Sequence, residues 1–429
     1  MEEWKSYKLG DISTIQTGPF GSQLHQSDYV ESGVPCIMPT NIGRMLDFQV
    51  AGIAHISEGD ALKLSRHIVH EGDIVYSRRG DIEKCAYVSQ EQDGWFCGTG
   101  CLKITINSNL AVPKFVAYYL STDEIKSWIV GNAVGTTMLN LNTSVLADVP
   151  LSLPSIQMQK RCVQILDSIE NKIALNNRIN HNLEEQAQAL YKSWFVDFEP
   201  FRDGKFIDSE FGLIPDGWHI GNISEMISDT YNGDWGKEES TGAFTKRVFC
   251  IRGADIPSIR VGSSGKMPTR FIQEKHFLSK YLKNDDLVIE ISGGSPTQST
   301  GRFCRITSDL IERYDHSLIC TNFCKALRPI EGCSLFLSYL WNDLYEKGTM
   351  FSYENGTTGI KNLDLSGLIM GEPVIIPDKR SMQLFSYAVS ALNKQILFNG
   401  HENEKLGEQR DLMLPKLMSG EMISNNDVY

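Results

Sequence analysis

The sequence is poor in the features that would make it a membrane protein, a secreted protein or an enzyme. No run of eighteen or more apolar residues occurs along its 429 residues, so no helical membrane span is expected. The opening MEEWKSYKLG lacks the charged-then-apolar layout of a secretory signal, and a soluble, cytoplasmic protein is the expectation. Pro-Pro occurs nowhere, which removes the Asn/Asp-Pro-Pro-Tyr/Phe motif of an adenine methyltransferase. The Gly-Lys pairs ending at Lys205, Lys237 and Lys266 are followed by Phe, Glu and Met, so no phosphate-binding G-x4-G-K-[ST] loop is present. Neither a G-x-S-x-G elbow nor H-E-x-x-H appears. The nine histidines show no metal-ligand spacing. Scattered carboxylates leave a nuclease formally open, but nothing gathers them. The chain is therefore expected to be no enzyme, with no cofactor or metal of its own.

Excess positive charge is also missing. With 41 Lys and Arg against 53 Asp and Glu, the net charge is −12. A free-standing nucleic-acid binder is usually basic. The balance is uneven, however: from Lys237 to Lys283 there are ten Lys or Arg and four acids. That local excess is compatible with contact to phosphates, although a solvated face is the plainer reading of any one lysine.

The ten cysteines form no compact disulfide framework. Cys97/Cys101 and Cys320/Cys324 are two C-x3-C pairs. A four-thiolate zinc site is conceivable, but structural knuckles are usually tighter. Both pairs lie in strand-like text, so buried thiols packed as small hydrophobes are the better reading.

What the sequence does have is an internal duplication. Trp4 is answered by Trp218, Gly18 to Ser22 by Gly233 to Lys237, and Cys36-Ile37 by Cys250-Ile251. Asp73-Ile74-Val75 is answered by Asp286-Leu287-Val288, Gly135-Thr136-Thr137 by Gly356-Thr357-Thr358, and Pro154 by Pro377. So many matches in one order at nearly one offset exclude chance. Each copy opens with about 150 residues of short strands and loops. GVPCIMP, GDIVYS, CLKITI and VPLSLP mark the first copy, and RVFCIRG, DLVIEI and PVIIP the second. A helix over PKFVAYYLSTDEIKSWI makes the fold mixed α/β, of α+β type. The boundaries are read as 1–154 and 215–377 for the two domains, 155–197 for a first long helix, 198–214 for a linker, and 378–424 for a second helix and tail.

Both helices carry a coiled-coil seam, with apolar residues alternately three and four apart. The first runs Leu166, Ile169, Ile173, Asn176, Asn180, Leu183, Ala187, Leu190, Trp194; the second runs Val389, Leu392, Ile396, Asn399, Asn403, Leu406, Arg410, Met413, Leu417. Each residue of the second lies 223 positions after its counterpart. A buried Asn is costly unless its amide is paired, and paired seam asparagines fix register and partner. An antiparallel pair would set Asn176 against Asn403 and Asn180 against Asn399. Ser155 and Asp378 are suited to cap the two helices, and Pro415 should end the second near Leu414. The alternative is two amphipathic helices packed separately on their own domains. A pair of similar domains held apart by such helices, about a pseudo-two-fold axis, suits duplex DNA, whose own symmetry places equivalent sites roughly 10 base pairs apart. Because the copies differ in most surface residues, the two half-sites should differ.

At this point the chain resembles the specificity subunit of type I restriction–modification systems. GPFGSQL, GDIVYSRRG, GTTMLNLN and LYKSWFVDFEPF are in the style of that family, and the likeness covers nearly the whole chain. The resemblance implies two target recognition domains on double-stranded DNA and helices that dock two methyltransferase subunits. It also implies motor–nuclease subunits in the full complex; S-adenosylmethionine, ATP and Mg would belong to those partners.

Candidate DNA contacts follow from residue type. In Gly18, Phe20, Gly21 and Ser22, and in Trp235 and Lys237 of the second copy, glycine allows close backbone approach while an aromatic can touch sugar or base; a turn with a buried ring reads equally well. Arg78 and Arg79 follow GDIVYS and could grip guanine or phosphate, and Gln298 could read adenine. Thr136, Thr137, Thr357 and Thr358 offer hydroxyls to phosphates. Arg44, Lys246, Arg247 and Lys361 complete the set. The aromatic run from Lys192 to Phe201 reads either as packing on its own domain or as a docking face. The rival class is a duplicated clamp that holds proteins without reading DNA; the basic stretch and the Arg78/Arg79 loop argue against it.

Overall fold

The computed structural model describes residues 4–20, 23–43, 45–133, 139–295, 298–356 and 361–421. Seven site candidates (Gly21, Ser22, Arg44, Thr136, Thr137, Thr357 and Thr358) lie outside these residues. The chain divides into two compact units, residues 1–171 with 408–429, and residues 172–407.

The duplication in sequence is a duplication of topology. In the first unit the strand Lys5–Lys8 pairs antiparallel with Pro150–Leu153. A four-stranded sheet follows in the order Ser13–Thr17, Cys101–Ile106, Ile74–Ser77, Cys85–Tyr87. A further sheet contains a parallel pair, Val34–Ile37 with Phe96–Cys97. The second unit repeats each piece. His219–Asn222 pairs with Pro373–Ile376. The four-stranded sheet runs Ile227–Asn232, Cys324–Pro329, Leu287–Glu290, Phe303–Arg305. Its parallel pair is Phe244–Ile251 with Leu318–Cys320. The central strands Ile74–Ser77 and Leu287–Glu290 are buried at every position, which explains why they read as continuous apolar runs bounded by Asp and Gly. All ten cysteines are buried; burial pushes the Cys97 and Cys324 thiols up to about 12, so they stay neutral.

The expected helix over 113–129 is two helices, Pro113–Leu120 and Asp123–Asn132. The Ser121 hydroxyl donates to the Tyr118 carbonyl at 2.7 Å and the Thr122 hydroxyl to that of Tyr119 at 2.8 Å. These hydroxyls compete for the carbonyls that a continuing helix would use.

The two long helices are Ile156–Phe195 and Lys379–Ser419. At ~1.5 Å per residue each is about 60 Å long. Asp378 caps the second: its carboxylate accepts from the Ser381 backbone at 3.0 Å and from Trp218 Nε1 at 3.0 Å. The expectation that Pro415 ends this helix is corrected, because the helix passes through it to Ser419. Proline forfeits one backbone bond and crowds the carbonyl four residues back. Leu414, Leu417 and Met418 are buried in the first unit's core beside Cys162 and Leu166, and that packing offsets the loss.

Within the second unit the helices run antiparallel on paired asparagines. Asn176 Nδ2 donates to Asn403 Oδ1 at 2.8 Å and to Glu402 at 2.7 Å. Asn399 Nδ2 donates to Asn180 Oδ1 at 2.8 Å, and Asn180 Nδ2 to the Ile396 carbonyl at 3.1 Å. In the first unit Arg410 meets Glu170 at 2.8 Å. Ala187, Val389 and Ile396 are buried, and Ile169, Ile173, Leu183, Leu190, Leu392, Leu406 and Met413 half-buried. Trp194 leaves the seam proper for an aromatic cluster, its ring centroid 6.0 Å from that of Phe385 and 6.2 Å from that of Phe201. With Phe195 and Trp218 buried in the same cluster, the 192–201 run serves chiefly as core of the second unit.

Candidate nucleic-acid interface

Each unit carries one exposed aromatic beside an arginine. In the first, Gly18 is buried, and a Cβ there would lie 2.1 Å from the Gly98 carbonyl oxygen. Glycine is thus required by strand packing. Fixing Gly18 turns the chain outward, and two residues on Phe20 stands 49% exposed. The Arg78 guanidinium lies over its ring, 4.9 Å from the centroid. Arg78 is anchored by its backbone, which donates to Gly100 at 2.8 Å and accepts from Leu141 at 3.0 Å. Its Nε is buried without a partner. Burial, with Arg79 beside it, holds its pKa below the usual arginine value. Arg79 is exposed and bridges to Asn140. The structure thus brings Phe20, Arg78 and Arg79 into one neighbourhood.

The second unit also sets an arginine on an exposed aromatic, but from a different element. A Cβ on Gly233 would lie 1.9 Å from the Thr321 carbonyl oxygen. Gly236 has φ +58°, a conformation that favours glycine, and its Cβ would meet the Phe271 carbonyl at 2.4 Å. Lys237 and Phe271 exchange backbone hydrogen bonds at 2.9 and 2.8 Å. Held at both ends, the loop presents Trp235, 38% exposed, with the Arg270 guanidinium 3.8 Å from the ring centroid. Arg270 was not among the sequence candidates. The strand Thr269–Gln273 brings it to Trp235 by pairing with Phe244–Ile251, and the alternation of buried and half-buried residues along it is the signal that could have found it.

Other candidates are already engaged. Lys361 meets Glu354 at 2.9 Å and lies over the Phe351 ring. Lys246 sits over Phe277 and 3.9 Å from Glu274. Arg247 bonds His316 at 2.9 Å. Lys237 lies over Phe244. Gln298 is exposed in a turn closed by its own backbone on Ser295. The structure does not bring these together with Trp235 and Arg270 as one cluster of free cations.

Residues 1–185 match the family described as the type I restriction modification DNA specificity domain. The match spans the first repeat and part of the first long helix, and the second repeat shares the first one's topology. Whole-chain comparison agrees with the resemblance that the motifs suggested: along 98% of its length the chain is similar to type I restriction enzyme specificity subunits. It is 24% identical over 477 residues to the type I restriction enzyme HindI specificity subunit of Haemophilus influenzae, covering 98% of this chain and all of that one. It is 23% identical over 444 residues to the MjaIX specificity subunit of Methanocaldococcus jannaschii, covering 98% and 94%. In fold it is similar to the crystal structure of a type I restriction–modification S subunit from M. genitalium, with TM-score 0.55, 15% identity, and coverage of 97% and 96%.

Proposed function

We propose that each repeat reads one half of an asymmetric, two-part site on double-stranded DNA, and that the long helices fix the unread gap and dock two methyltransferase subunits. The single observation that carries this reading is one topology built twice, each copy presenting an exposed aromatic–arginine pair made from different residues. Equivalent scaffolds give equivalent approaches to a duplex, and different side chains give different half-sites. The chain itself performs no catalysis in this reading. Adenine methylation with S-adenosylmethionine, and ATP- and Mg-dependent cleavage, fall to methyltransferase and motor–nuclease subunits in the cytoplasm. Phe20 and Arg78 with Arg79 serve the first half-site, and Trp235 serves the second. The seam asparagines set the helix register on which the gap depends.

The test is co-expression with a type I methyltransferase subunit from the same genome, followed by sequencing of methylated adenines. A single asymmetric two-part motif with a fixed gap is expected, and exchange of residues 215–377 should change only one half. Failure to co-purify with the methyltransferase and to alter any methylation motif would overturn the reading in favour of a protein-holding clamp.

A further inference from the structure

We propose that Arg270 is a DNA-phosphate contact of the second repeat, and that Glu238 occupies the phosphate's place in the free protein. The inference rests on the DNA-reading function proposed above and assigns a residue that function had left unnamed. Arg270 is 8% exposed, and its Nε is buried with no partner. The flat face of its guanidinium covers Trp235. Its remaining partner is Glu238, 2.8 Å from Nη1. That carboxylate is the opposite of buried, with 83% of its side chain exposed. Ion pairs exposed on one side in this way are weak and easily exchanged.

A carboxylate and a phosphate offer a guanidinium the same chemistry, an anionic oxygen at charge-assisted hydrogen-bond distance. A phosphate arriving beside Trp235 can therefore take Glu238's position while Arg270 stays where it is. A base edge fits less well. Reading guanine needs an arginine that projects into the major groove, and Arg270 lies flush against the ring and nine-tenths buried. The first repeat supplies the open counterpart. There Arg78, from the loop after Ile74–Ser77, lies over Phe20 at 4.9 Å, and among the described residues it forms no ion pair. The two repeats thus reach an aromatic–arginine pair from different elements, and the second one's is shut by its own acid.

The experiment uses the full chain in its complex with the methyltransferase subunit, titrated with two duplexes across a series of KCl concentrations. One duplex carries the methylated motif and the other an unrelated sequence. Glu238→Gln lies on the surface and leaves the fold alone. It should tighten binding to both duplexes by about two- to five-fold, the scale of an exposed ion pair. Glu239→Gln removes the same charge from the next residue and should do less. Arg270→Gln should weaken both alike and lower the slope of log affinity against log salt by about 0.9, the value of one phosphate. Equal gains from the two glutamate variants, or no gain from Glu238→Gln, would overturn the proposal. A loss on Arg270→Gln confined to the motif duplex at unchanged slope would also overturn it, by placing Arg270 on a base. If the wild-type complex does not prefer its motif duplex at all, the DNA-reading function fails first.

Discussion

The asparagine pair Asn180–Asn399 allows the coiled-coil argument to be tested quantitatively. Both side chains are buried, at 5% and 3% exposure, and their polar atoms are engaged in turn. Gln395 donates to Asn399 Oδ1 at 2.7 Å, Asn399 to Asn180 Oδ1 at 2.8 Å, and Asn180 to the Ile396 carbonyl at 3.1 Å. Asn180→Leu removes the acceptor of the Asn399 amide and leaves that donor stranded. Asn399→Leu strands Asn180 Oδ1. Each should cost about 2 kcal/mol, within the range of roughly 1–3 for a buried unsatisfied group. Replacing both removes the orphan along with its partner, and an apolar pair of similar shape is close to neutral. With about 1 kcal/mol of residual cost, the double variant should therefore lie about 3 kcal/mol above the sum of the singles in stability, at the upper end of coupling between contacting residues. A chain with two units does not unfold in one step. The assay is accordingly native-state hydrogen exchange, read on peptides spanning residues 172–195 and 389–407, where local opening free energies report the helix pair directly. Additive losses, with the double variant costing the sum of the singles, would refute the reasoning. So would single variants with unchanged protection.

Two further expectations rest on single residues. Pro415 is exposed inside a helix, and an interior proline costs about 3 kcal/mol relative to alanine. Pro415→Ala should therefore stabilise the last turns by about 1–3 kcal/mol, seen as slower amide exchange over residues 411–419; unchanged exchange would mean that packing alone sets their stability. His67 is buried against Phe96, with Arg66 Nε 3.0 Å from one ring nitrogen, Gln16 at the other and Lys103 nearby. Burial, then Arg66 and Lys103, lower its pKa from 6.5 to about 4. The folded state thus favours neutral imidazole. Its contribution is fully present above pH 6.5 and is lost as pH falls from there through about 4, on the order of 3 kcal/mol in all. His67→Gln should flatten the stability profile in that window alone, and identical profiles for variant and wild type would exclude the role.

The features legible in the sequence are those set by period and repetition. A buried central strand is a short apolar run wherever it occurs, so Ile74–Ser77 and Leu287–Glu290 stood out. The seam stood out because a three-four alternation with asparagines at matching places has few other causes. What escaped depends on contacts that pattern does not encode. Whether Pro415 breaks a helix is decided by Leu414, Leu417 and Met418, whose burial is settled far away in the chain. Whether Ser121 and Thr122 interrupt one is decided by where two hydroxyls turn. Arg270 escaped because a strand pairing, and not proximity in sequence, sets it over Trp235. Composition gave ten cations in the stretch and no way to tell an engaged one from a free one.

That last distinction reconciles an acidic chain with the contact to DNA proposed for it. In the basic stretch Arg252 is held by Asp255 at 2.9 Å, Lys280 by Asp234 at 3.3 Å, and Arg270 by Glu238 at 2.8 Å. The first two are internal struts: Asp234 also accepts from Gly236 and His276, and so fixes the loop that carries Trp235. A cation committed to such a strut releases no counterion when DNA arrives and adds little to affinity. The local excess of charge therefore overstates the phosphate grip, and its main product is a rigid loop. Rigidity matters more here than charge. An aromatic held by two glycine contacts and a backbone bridge needs no ordering on binding, so little conformational entropy is lost there when the duplex docks. In the proposed reading, affinity falls to partner subunits while this chain supplies discrimination, a division that a net charge of −12 permits and a strongly basic surface would obscure.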